Sequence, residues 1–207
     1  MSRNPTHVIW WLVSQASGIV ALGLVSISVM LGLAMACRLV PGRRKRAAVR
    51  LHEYLAVGAL VAIGAHGAAL LGDAWLKPGL AGITVPFALG YRPAFTSAGI
   101  VAGYLALALG PSFYLRKRIG ARTWRRMHRA TALVWMLGVV HTLGAGSNAS
   151  SPWLQALVLA PGALILYLLL LRVLGSQRRE KPTPVPARRA PHGSGPPQPL
   201  PGTLAGR

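Results

Sequence analysis

Five apolar runs decide what this chain can fold into. Residues 10–37, 51–72, 94–115, 127–145 and 152–174 are each dominated by hydrophobic side chains. Each holds about 20 positions or more, the length a helix needs to cross a hydrocarbon layer about 30 Å thick. Lipid offers the backbone no hydrogen bonds, so every run must close its own as a helix. The expectation is an all-α integral membrane bundle of five transmembrane helices. The first run is overlong, and its start, HVIWWLVSQ, is expected to tilt in the interface with Trp10 and Trp11 in an aromatic belt.

Charge orients the bundle. Only Glu53, Asp73 and Glu180 are acidic, against 23 Lys and Arg, in a chain of 207 residues that is 53% hydrophobic. So much apolar sequence argues for membrane lipid as the partner and against nucleic acid. The loop 38–50 carries six basic residues, the loop 116–129 seven, and the stretch from Arg172 to the end seven more. Only Arg3, Lys77 and Arg92 fall on the other side. The positive-inside bias puts the N-terminus outside and the C-terminus in the cytoplasm. The outer loop 73–93 contains an apolar stretch too short to span, which is expected to lie on the surface. Residues 1–175 read as one membrane domain. Residues 176–207, rich in Pro, Gly and Arg, read as a disordered cytoplasmic tail.

Cys37 is the only cysteine, which leaves no intrachain disulfide and no cysteine-based zinc or iron–sulfur site. Ala34-Met35-Ala36 has the form of a signal-cleavage site. The run before it is too long for a signal peptide, however, and the basic cluster follows it instead of preceding it.

Chemistry enters with histidine. LHEYLAVGALVAIGAH places His52 and His66 in the second run, and MHRATALVWMLGVVH places His128 and His141 in the fourth. Along a helix, His52 and His66 lie about 21 Å apart on nearly one face, too far to share a metal ion. Both helices cross from inside to outside, so His52 comes level with His128, and His66 with His141. Ionisable groups in lipid are costly and face a cavity or a partner. Four at matched heights suggest bis-imidazole ligation of haem iron at two depths. Gly58, Gly64, Gly67 and Gly138 are placed to admit a ring between the helices. Thirteen steps of about 100° leave His141 some 140° from the face of His128, a rotation that a bend or bulge must absorb. His7, His192 and the sequon-like Asn148-Ala149-Ser150 carry no expected role. A haem-free transporter or proton relay using titrating histidines is the alternative, and a purely structural anchoring subunit is a third reading.

The segments LHEYLAVGALVAIGAH and WRRMHRATALVWMLGVVH, with the spans around them over roughly residues 10–175, resemble the ferric reductase-like transmembrane domain. That family includes membrane ferric reductases, NADPH oxidases and the haem subunit of the bacterial periplasmic methionine-sulfoxide reductase system. The resemblance implies two b-type haems between the second and fourth spans, with His52 and His128 holding the inner one and His66 and His141 the outer. Arg50, Arg125, Arg126 and Arg129 are candidates to neutralise inner propionates. Arg92, Tyr91 and Trp75 are weaker candidates at the outer haem, and Glu53 either orients His52 or pairs with a loop arginine.

Two departures stand out. The family commonly has six spans, and its reductases continue into a flavin and nicotinamide domain, whereas this sequence has no G-x-G-x-x-G. The implied role is a cytochrome b of the bacterial inner membrane, fed by a separate flavin reductase or by quinol. It would pass electrons to an extracytoplasmic acceptor: ferric chelates, oxygen, quinone or a partner enzyme.

Overall fold

The computed structural model describes residues 5–180, and the described residues are helical with short connections. The helices are α1 (Pro5–Ala36), α2 (Lys45–Leu71), α3 (Gly79–Thr84), α4 (Pro93–Leu109), α5 (Ser112–Ile119), α6 (Ala121–His128), α7 (Thr131–Ala145) and α8 (Pro152–Glu180). A 3₁₀ turn, Gly42–Arg44, leads into α2. Three helical segments are long and apolar enough to cross a membrane: Val8–Ala36, Gly42–Leu71 and Pro152–Leu174. A fourth crossing exists if α4 and α5 act as one bent span.

The run 94–115 is therefore not one straight helix. It breaks at Gly110-Pro111 and turns by 56°, because Pro111 has no N–H to continue the ladder and its ring clashes with the preceding turn. The run 127–145 is also interrupted. Helix α6 ends at His128, Arg129 and Ala130 form a turn, and the 15 residues of α7 follow. Helix α1 begins at Pro5, so His7 sits in its first turns. Helix α8 continues past residue 175 to Glu180, while the rest of the proposed tail, His192 included, lies outside the described residues.

Helix α1 ends in a Schellman motif. Leu39 N–H donates to the Ala34 carbonyl at 3.0 Å and Arg38 N–H to the Met35 carbonyl at 3.2 Å. Arg38 adopts φ 62°, the left-handed position that glycine usually fills. The chain thus ends its first span on a charge instead of a glycine, at the first residue of the basic 38–50 loop.

Helix α1 is the hub. It packs on α2, α7 and α8, and α7 packs in turn on α4. Val29 and Leu33 of α1 meet Ile165 and Leu168 of α8 in a buried cluster, against which Trp135 of α7 also packs. Trp135 Nε1–H donates to Ser26 Oγ at 3.0 Å, which satisfies a polar group that lipid would leave unpaired. The buried residues of α2 are alanines, Ala48, Ala59, Ala62 and Ala69, and small side chains let membrane helices approach closely. Many large apolar side chains face outward, among them Val61, Leu107, Leu159 and Leu166. Lipid is the solvent that makes this surface stable.

Candidate functional site

The four histidines meet in two pairs. His52 on α2 faces His128 at the end of α6, with ring centroids 5.9 Å apart and planes at 84°. His66 on α2 faces His141 on α7, with centroids 6.0 Å apart and planes at 76°. The rotation that a continuous helix would impose between His128 and His141 is taken up by the turn at Arg129 and Ala130. Breaking the helix is what lets both rings look at α2.

Three of the four rings are held in the same way. His66 Nδ1 lies 2.8 Å from the Ser14 carbonyl, His52 Nδ1 2.9 Å from the Ser28 carbonyl, and His141 Nδ1 3.0 Å from the Phe95 carbonyl. A carbonyl only accepts, so each Nδ1 carries the proton and each Nε2 keeps its lone pair. Four residues beyond each carbonyl stands a glycine: Gly18, Gly32 and Gly99. A β-carbon on any of them would press on the ring of His66, His52 or His141 respectively. The local unit is a backbone acceptor one helical turn before a glycine, so that the imidazole lies close against bare backbone.

This cradle was missed in reading the sequence, although a signal was there. Ser14 and Gly18 are repeated as Ser28 and Gly32, 14 positions on, which is the spacing of His52 and His66. The glycines singled out instead behave differently. No chain atom lies within 4 Å of where a β-carbon would sit on Gly64 or Gly67, while one on Gly58 or Gly138 would meet only Leu24 or Leu22.

The remaining candidates fall into place around the pairs. Arg50, Arg125, Arg126 and Arg129 are exposed at the end of the bundle where His52 and His128 meet. Among the described residues Glu53 bonds neither His52 nor an arginine; the Tyr114 hydroxyl donates to its carboxylate. At the other end, Trp75 stacks edge-on against Tyr91 at 5.6 Å, and Arg92 lies over the Tyr91 ring. Arg92 donates to the Gly144 carbonyl, and Tyr91 to the Ala145 carbonyl at 3.4 Å, so these residues cap α7 just beyond His141.

The ligand set can be tested against chemistry. Among the described residues, no three His, Cys, Asp or Glu side chains come together as a metal site. Each pair therefore offers two imidazoles and nothing more, too few for a closed zinc site with four protein ligands. The spacing is also informative. With metal–nitrogen bonds of about 2 Å and about 1.1 Å from nitrogen to ring centre, two imidazoles on opposite sides of one metal have centroids about 6 Å apart. The observed 5.9 and 6.0 Å match that figure. A planar macrocycle supplying the other four metal bonds suits such a pair, and α2 and α7 are not among the closely packed helix pairs.

No curated protein and no solved structure matches this chain. The ferric reductase like transmembrane component family matches residues 17–139, more than half of the chain, a stretch that holds His52, His66 and His128 and ends just before His141. The chain therefore belongs to the family of ferric reductase like transmembrane components.

Proposed function

We propose that the chain is a transmembrane b-type cytochrome that passes electrons across the membrane through two bis-histidine haems. His52 and His128 would hold the inner haem, and His66 and His141 the outer. Membership of the ferric reductase-like family supports transmembrane electron transfer. The observation that carries the haem reading is the pair of cross-helix imidazole separations, 5.9 and 6.0 Å, with Nδ1 of three rings already committed to carbonyls.

When bound, the haem would supply a one-electron carrier at each depth. The chain does the rest. Its four paired histidines would supply nitrogens to the iron, and Ser14, Ser28 and Phe95 fix the tautomer and ring direction of three of them through backbone oxygens. The apolar faces of α1, α2, α4 and α7 exclude water. Arg50, Arg125 and Arg129 are the candidates to meet carboxylates of the inner haem from the basic end. In this reading the five apolar runs are five crossings, with α6–α7 and α4–α5 as interrupted spans. The N-terminus faces outward and the C-terminus the cytoplasm of a bacterial inner membrane. A separate flavin reductase or quinol donates, and an extracytoplasmic acceptor receives.

The test is haem per protein together with the low-spin signal of six variants. His66→Ala and His141→Ala should lose the outer signal, His52→Ala and His128→Ala the inner, and His7→Ala and His192→Ala neither. Full low-spin signal in all four core variants would remove the ligand assignment. Loss confined to His66→Ala and His141→Ala would reduce the protein to one haem.

A further inference from the structure

Three of the facing histidines are fixed by a hydrogen bond and the fourth is not. His128 Nδ1 is buried with no hydrogen-bond partner. Its ring instead stacks on Trp124, one turn earlier in α6, with centroids 4.9 Å apart and planes within 22°. Trp124 is itself wedged, with its ring edge-on to Phe113 at 5.8 Å, and the Arg116 guanidinium lies 3.8 Å over the Phe113 face. Helices α5 and α6 thus carry a ladder of three rings: Phe113, Trp124 and His128. The backbone alone is a poor support here, because α6 stops at His128 and a turn follows.

We propose that Trp124 is the positioning residue of His128, setting by ring stacking the plane of the one paired imidazole that no carbonyl holds. This rests on the haem reading given above.

The experiment is optical and electron paramagnetic resonance spectra of the full-length protein. It includes Trp124→Phe, Trp124→Ala and the two single-haem variants His66→Ala and His128→Ala, which identify the inner and the outer signal. Trp124→Ala should broaden or abolish the inner low-spin signal and leave the outer signal unchanged, whereas Trp124→Phe, which keeps a ring to stack, should retain the inner signal. An unchanged inner signal in Trp124→Ala overturns the proposal and leaves the two-haem reading standing. Loss of both haems in Trp124→Phe as well as in Trp124→Ala makes the residue a general structural support and also overturns it. Wild-type protein that purifies without haem and takes none up overturns the underlying reading, and this proposal with it.

Discussion

Gly18 lies close against the His66 ring: a β-carbon on it would sit 3.0 Å from Nδ1. A β-carbon on Gly32 would likewise sit 3.3 Å from His52 Cε1, and one on Gly99 would press more tightly on His141. Three glycines on two helices thus do the same job for three rings, each one turn after the carbonyl that accepts the ring N–H. Three of the four paired histidines are positioned mainly by backbone.

Adding a methyl at these glycines should act on the site they serve. Gly99→Ala meets the His141 ring most closely, so it should displace that ligand and cost about 1–3 kcal/mol of overpacking. The outer low-spin signal should fall while the inner one persists. Gly32→Ala should have a smaller effect on the inner site. Gly23→Ala, where nothing lies within 4 Å of a new β-carbon, should have none. Equal behaviour of Gly99→Ala and Gly23→Ala would remove the cradle from the account.

Removing the serine hydroxyls should matter much less. Ser14 Oγ lies 3.2 Å from His66 Nδ1 and Ser28 Oγ 3.0 Å from His52 Nδ1, but each ring also has the shorter carbonyl contact. One N–H needs one acceptor, and the backbone provides it. Ser14→Ala and Ser28→Ala should therefore keep full haem content and lose no more than about 1 kcal/mol in thermal unfolding. Loss of either haem in these variants would show that the hydroxyls, not the carbonyls, hold the rings.

The ring planes make a spectroscopic prediction. In the haem reading, imidazoles crossed at 84° and 76° would direct their π-donation at different iron orbitals and leave those orbitals nearly equal in energy. The oxidised protein should give strongly anisotropic low-spin resonances with one large g value, not the ordinary rhombic spectrum of parallel rings. A rhombic spectrum for both haems would mean that the rings turn on haem binding.

Much of this was legible in the sequence, and the limits are physical. Pairing His52 with His128 and His66 with His141 needed only helix rise and the direction of crossing, both of which follow from hydropathy and loop charge. The break after His128 was visible only as a rotational misfit, because Arg129-Ala130 contains no glycine or proline to announce a turn. The bend at Gly110-Pro111 could have been read from its proline, but the run looked continuous in hydropathy. The cradle escaped because a serine and a glycine in an apolar helix usually serve packing. Only its repeat at the histidine spacing distinguishes it. Trp124 gave no signal at all, since stacking across one helical turn looks like any other aromatic at a membrane edge.

Topology can be checked independently of cofactor. In the five-span reading, which puts 20 basic residues on one side and three on the other, a reporter fused after residue 180 should report cytoplasm, and one inserted near Pro78 should report the outside. The opposite result at both sites would exchange the inner and outer assignments of the two pairs.

Arg92 offers the last prediction, because it joins strain to position. It adopts φ 41°, ψ 59°, the left-handed region, immediately before α4. A non-glycine residue there costs about 1 kcal/mol or more. In return its guanidinium reaches the Gly144 carbonyl near the end of α7, and the Phe95 ring packs where a Gly144 β-carbon would go. The Phe95 carbonyl in turn holds His141. Arg92 thus ties α4 to α7 beside His141. Arg92→Ala keeps the strain and loses the bond, so it should destabilise by about 1–3 kcal/mol, as for a hydrogen bond from a charged group. Arg92→Gly loses the bond but also the strain, and should recover about 1 kcal/mol of that loss. Thermal unfolding in detergent should rank wild type above Gly above Ala, with the outer haem signal weakening in the same order and the inner one unaffected. Identical melting of the Gly and Ala variants would show that the backbone conformation of Arg92 is not under strain, and wild-type behaviour of both would show that the tie to Gly144 holds nothing in place.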